Sequence, residues 1–169
     1  MTTDKQHYAT LTFNRKDLLY DISNRAYIIG DSLPDEREHA KHQLIDIVQD
    51  GNVDYVTRML DKAHAECAEF LYSCTKVACD TDMKYDDKLN EIESYIITMV
   101  INTNVSQTSL NLITKLVHEY MVFNVLRSFI IMVGLSDQYG KDEIENIQNQ
   151  IRVRLNASTN IVRRKQHPF

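Results

Sequence analysis

Over residues 8–13, "YATLTF", apolar and polar side chains alternate: Ala9, Leu11 and Phe13 fall on one side, and Tyr8, Thr10 and Thr12 on the other. That is the period of a strand. No second strand stands out in the pattern, so its partner is expected to be another subunit. From residue 15 the apolar spacing changes to three and four, the period of a helix face. Leu18, Leu19, Ile22, Ala26 and Ile29 predict a first helix over 15–29, with Asn14 as N-cap, Asp17 at N3 and Gly30 ending it. Ser32 and Pro34 open a second helix, with Ala40, Leu44, Ile47 and Val48 inward and Gly51 as its stop. Asn52 caps a third at once, so the second and third are expected to form an antiparallel hairpin. The third runs to about 74, with Val56, Met59, Leu60, Ala63, Cys67, Phe70 and Leu71 inward.

Residues 75–87 read as weakly structured, and Leu89, Ile92, Ile96, Met99 and Val100 predict a fourth helix over 87–101. The fifth, 107–133, is the longest and most apolar, and Gly134 ends it. Its apolar residues cover more than one face, which predicts the central position. The sixth, 141–155, is polar except for the stripe Ile144, Ile147, Ile151 and Leu155, the pattern of a helix lying on a surface. After Leu155 the period stops, and 156–169 are expected to be an extended arm, disordered in the isolated chain.

The expected fold class is all-α: a bundle of five to six helices over 15–155, a short N-terminal strand or extended arm over 1–14, and a basic C-terminal arm over 156–169. Composition supports long helices, since 169 residues hold only four glycines and two prolines. The opening residues carry no apolar run of the secretory kind. The most apolar stretch, 121–135, is too short to span a bilayer and contains Arg127, so no membrane contact is expected. Cys67, Cys74 and Cys79 show no CxxC spacing and read as free thiols in a reducing compartment.

The formal charge of −5 is unevenly placed. Residues 152–169 hold Arg152, Arg154, Arg163, Arg164 and Lys165 and no acid, so a +5 end follows a −10 body. The body repels nucleic acid on average, while the end attracts anionic surfaces and allows weak contact with DNA.

Candidate chemistry is sparse. Glu36 and His39 form an E-x-x-H turn, and Asp61 and His64 form its Asp analogue. Two such turns are the pattern of ferritin-like metal bundles, but solvated helix faces are the expected reading, with no cofactor. His39 and His42 lie on one helix face without a third ligand of clear spacing. His118, in the most apolar helix, is expected to be buried and hydrogen-bonded. Arg127 is expected to snorkel, pair with an acid or face a partner. No glycine-rich phosphate loop and no G-x-S-x-G turn is present.

The ending "NIVRRKQHPF" looks built for docking. Arg163, Arg164 and Lys165 suit steering, while Ile161, Val162 and Phe169 suit burial against a partner. Leu11 and Phe13 join them as candidate partner-binding residues through the expected strand pairing.

An extended N-terminal segment, a helical body and a basic C-terminal arm together resemble the small head–tail connector proteins of tailed bacteriophages. The stretch "DIVQDGNVDYVTRMLDKAHAECAEFLY" (46–72) and the ending "VRRKQHPF" are similar in style to phage and prophage proteins of gut bacteria. The resemblance implies a non-enzymatic adaptor that forms a homo-oligomeric ring and binds portal and tail proteins. It implies assembly in the host cytoplasm and residence in the virion. The alternatives are a ferritin-like metalloprotein and a small nucleic-acid-binding accessory protein that uses the basic tail.

Overall fold

A first strand, β1 (His7–Asn14), runs directly into α1 (Arg15–Asp31). The computed structural model describes residues 7–71, 92–101, 105–136 and 139–158. After α1 come a 3-10 turn (Asp35–Arg37), α2 (Glu38–Ile45), α3 (Val53–Phe70), β2 (Ser94–Ile101), α4 (Gln107–Met132) and α5 (Lys141–Ser158). The described chain is thus mostly helical, but it is not all-α, because β1 and β2 form a two-stranded antiparallel sheet.

The sheet corrects two expectations. Ser94–Ile101 is a strand where a helix over 87–101 was expected, and β1 finds its partner inside its own chain. Residues 87–91 of that helix lie outside the described residues. The physical reason lies in the side chains and in the neighbouring strand. Residues 96, 97, 98, 100 and 101 are all β-branched, which favours the pleated backbone. On a helix their apolar groups would point all round. On a strand, Tyr95, Ile97 and Met99 turn inward while Ile96 turns out. The register sets Leu11 opposite Ile97 and Phe13 opposite Tyr95, so the inner faces of both strands meet the same core.

α4 is the centre of the helical part, with α1, α3, α5 and β1 packed against it. Ile113, Val117, Met121, Val125, Leu126, Phe129 and Ile130 are buried along it, whereas Ile131 is exposed. Its ends follow the sequence signals. The Ser106 hydroxyl accepts the Ser109 N–H at 3.1 Å. At the other end Gly134 takes φ +80°, and the N–H groups of Gly134 and Leu135 close onto Ile131 and Ile130 at 3.0 Å each. No described helix is long and apolar enough to cross a membrane.

Several helix boundaries differ from expectation, among them that of α2, which ends at Ile45 and not at Gly51. Gly30 does not end α1: it sits inside the helix, where a Cβ would lie 3.3 Å from the Lys41 carbonyl oxygen and 3.5 Å from Leu44 Cβ. Its small size lets α2 pack on α1, so the helical hairpin is α1–α2, in place of the expected pairing of the second and third helices. Ser32 belongs to the end of α1, its hydroxyl donating to the Ile29 carbonyl at 2.7 Å. Finally, helix α5 continues to Ser158, three residues into the segment expected to be an arm. Its stripe Ile144, Ile147, Ile151 and Leu155 is buried as expected.

Candidate functional site

β1 has β2 on one edge. Between β1 and the first half of α4 runs a groove, to which Ile101 at the end of β2 and Val105 also contribute. One end is a cavity of about 420 Å³ lined by Tyr8, Ala9, Thr10 and Leu11. Successive strand residues point to opposite faces of a sheet. Gln107, Leu110, Asn111 and Thr114 of α4 face them. In an antiparallel pair each strand turns alternate N–H and C=O groups toward its partner, and the rest point the other way. Among the described residues no strand pairs with that second set of β1 groups.

Thr114 also lines a second cavity, of about 280 Å³, which carries the groove on past Thr12 and Phe13 to a polar end. Asp17, Asp21, Arg25, Lys115, His118 and Glu119 gather there. His118 Nε2 lies 2.7 Å from Asp21 Oδ2, joining α4 to α1, and the Phe13 ring lies against the imidazole at 6.5 Å between centroids. The Arg25 guanidinium sits over the Phe123 ring at 4.4 Å. A carboxylate-oriented imidazole can bind a donor or acceptor at its other nitrogen. The Thr114 hydroxyl lining the same groove donates instead to the Leu110 carbonyl at 2.9 Å.

The side chains of α4 explain why this face is open. Gln107, Asn111, Thr114, Lys115, His118 and Glu119 recur at helical spacing on an otherwise apolar helix. A central helix buried on every side would not need them. This stripe was the readable sign of the groove. Asp21 and Arg25, at four-residue spacing on α1, went unremarked.

The other singled-out residues are placed as follows. Leu11 and Phe13 are 3% and 2% exposed in the chain's own core, so neither side chain is presented to a partner. Ile161, Val162, Arg163, Arg164, Lys165 and Phe169 lie outside the described residues. Arg152, counted with the basic end, stacks over Phe70 at 4.9 Å from within α5. His118 is hydrogen-bonded as expected, but half-buried rather than enclosed. Arg127 is half-buried on α4.

The paired E-x-x-H-like turns do not converge. Asp61 accepts a hydrogen bond from the Tyr95 hydroxyl at 2.8 Å, and His64 Nε2 lies 3.1 Å from the Ile96 carbonyl oxygen. Both residues hold β2 against α3. His42 faces Glu38 on exposed surface. Among the described residues no cluster of three or more potential ligands can hold a metal ion.

Deeper in, Glu66 of α3 accepts from Tyr120 and Asn124 of α4 at 3.2 and 2.6 Å, and Gln148 of α5 reaches the Tyr120 oxygen at 3.4 Å. Burial raises the Tyr120 pKa, and the Glu66 charge raises it further. Burial likewise pushes up the Cys67 thiol beside this network, with Glu66 adding to it, so Cys67 is an unreactive core thiol. This network ties three helices together and opens on no cavity described above.

Comparison of the chain with protein-family models, curated proteins and solved structures gave no match.

Proposed function

We propose that this protein is a non-enzymatic assembly protein that receives an extended segment of a neighbouring subunit along the free edge of β1. The observation that carries the reading is the groove lined by four successive β1 residues and walled by α4. An added strand gains main-chain hydrogen bonds from such an edge, and flanking side chains select its sequence. The polar end of the groove supplies that selection through Asp17, Glu119, Lys115 and the His118–Asp21 pair.

The narrower form of the proposal is a ring-forming adaptor between portal and tail in a bacteriophage virion. The resemblance in layout and the separation of an acidic body from a basic end support it. In that setting the C-terminal arm makes the second contact, to the portal or a neighbour, with Arg163, Arg164 and Lys165 steering and Phe169 anchoring.

Asn111 is exposed and lines the groove, so Asn111→Trp fills the groove without touching the core. Native mass spectrometry of the full chain, alone and mixed with candidate portal and tail proteins, tests the reading. Assemblies that form with the wild type and are lost with Asn111→Trp support it. Assemblies unaffected by the substitution contradict it.

A further inference from the structure

Helix α1 buries Leu18, Ile22, Ala26 and Gly30. On its opposite side Lys16, Tyr20, Asn24, Tyr27 and Asp31 are all exposed. At 3.6 residues per turn these five fall within about 80° of one another, so they form one outward face. Tyr20 is 67% and Tyr27 55% exposed, and tyrosine is a side chain enriched where proteins bind one another.

The charges at the two ends of this face do not suit α1 alone. A helix favours acids in its first turn and cations in its last. Lys16 stands in the first turn of α1, and Asp31 is its last residue. Among the described residues neither forms an ion pair within the chain. Asp17, beside Lys16, does obey the rule, but it receives the Asn14 amide at 3.1 Å and lines the groove.

Both charges fit a second α1 lying antiparallel across a two-fold axis. The face is a palindrome about the midpoint between residues 23 and 24. Tyr20 and Tyr27 stand equally far from that midpoint, and so do Lys16 and Asp31. In a two-fold contact each residue meets the one at the mirrored position in the other copy. Tyr20 therefore meets Tyr27 twice, Lys16 meets Asp31 twice, and Asn24 lies beside the axis. Each Lys16 also comes to the negative end of the other helix dipole, and each Asp31 to the positive end. The face carries one cation and one anion, so two copies can approach through it despite the chain's net charge of −5.

We infer that α1 is the surface through which two copies of this chain pair, antiparallel about a two-fold axis, with the tyrosines at the centre and Lys16–Asp31 ion pairs at both ends. This contact uses a different face from the groove and does not depend on the docking role proposed for it. One helix face covers less than the about 800 Å² per partner of a stable interface, so the pair is weak, with a dissociation constant of about 1 mM. At the micromolar concentrations of an ultracentrifuge the chain is unpaired through α1, while at about 1 mM about half of it is paired.

The test is the amide spectrum of the full chain carrying Asn111→Trp, which keeps the groove filled, recorded from about 20 μM to about 1 mM. Amides of Tyr20, Asn24 and Tyr27 should shift with concentration, and those of α3 should not. Lys16→Glu alone, or Asp31→Lys alone, sets like charges against each other at both ends and should weaken pairing about tenfold. Each substitution improves the match to the helix dipole, so α1 stays folded. An equimolar mixture of the two variants places opposite charges at both ends again and should recover most of the concentration dependence.

Amide shifts on α1 that do not depend on concentration overturn the inference. Charge reversals without effect, or a mixture no better paired than its components, overturn it as well. None of these outcomes touches the groove, whose docking role fails only if Asn111→Trp leaves assembly intact.

Discussion

Adjacent residues of β2 should differ sharply in their contribution to stability. Ile97 is 3% exposed and faces Leu11, while Ile96 is 53% exposed on the outer face. Ile97→Ala removes buried methyl groups from a packed site and leaves a cavity, at a cost of about 2–5 kcal/mol. Ile96 keeps about half its surface in water, so Ile96→Ala should cost about 1 kcal/mol or less, a fraction of the 1.5–3 kcal/mol for burying such a side chain fully. Equilibrium urea unfolding followed by far-ultraviolet circular dichroism measures both. With a slope of about 2 kcal/mol/M, the Ile97 variant should lose about 1–2.5 M in midpoint and the Ile96 variant about 0.5 M or less. Leu11→Ala combined with Ile97→Ala should couple by about 0.5–3 kcal/mol, since the two side chains share one site. Near-equal losses at 96 and 97 would refute the strand, and additive losses at 11 and 97 would refute the register.

The remaining expectations concern helix packing, capping and titration. Gly30→Leu should destabilise by about 1–3 kcal/mol, because the side chain must enter the 3.3 Å approach to the Lys41 carbonyl; thermal unfolding should fall by about 2–4 °C per kcal/mol. Ser106→Ala should cost about 1 kcal/mol by removing the cap on the Ser109 N–H, read in the same denaturation assay. Stability should also fall at high pH. Burial raises the phenol of Tyr95, reinforced by its hydrogen bond to Asp61, and burial raises Tyr120 and the Cys67 thiol. Groups whose folded pKa lies above the unfolded value stabilise fully below the unfolded value and lose that contribution as pH rises through the window between the two. The loss should therefore begin near pH 9, steepen above about 10, and be smaller in Tyr95→Phe; a flat melting temperature from pH 8 to 11 would contradict it.

The helices were legible where the apolar period was clean. α1, α3 and α5 each turn the stripe read from the chain toward the core, and Ser106 and Gly134 bound α4 as capping chemistry requires. β2 was not legible because "SYIITMVI" is almost wholly apolar. Such a run fits either period, and only the presence of β1 decides between them. Gly30 was misread for a related reason. A glycine after an apolar stripe looks the same whether it ends a helix or admits a neighbour, and the deciding atom, the Lys41 carbonyl oxygen, is eleven residues away in sequence. The groove was half legible. The polar stripe from Gln107 to Glu119 was visible, but its meaning depends on which element faces it, and that element is the strand first expected to pair with another chain.

The central claim is that the β1–α4 groove is where a neighbour docks. It is tested most directly by sedimentation equilibrium of the full chain over a hundredfold range of concentration, for the wild type and for Asn111→Trp. The account expects the wild-type mass to rise from one copy to several as neighbours dock in the groove, and Asn111→Trp to remain a single copy throughout. A wild type and variant with the same mass at every concentration would contradict it.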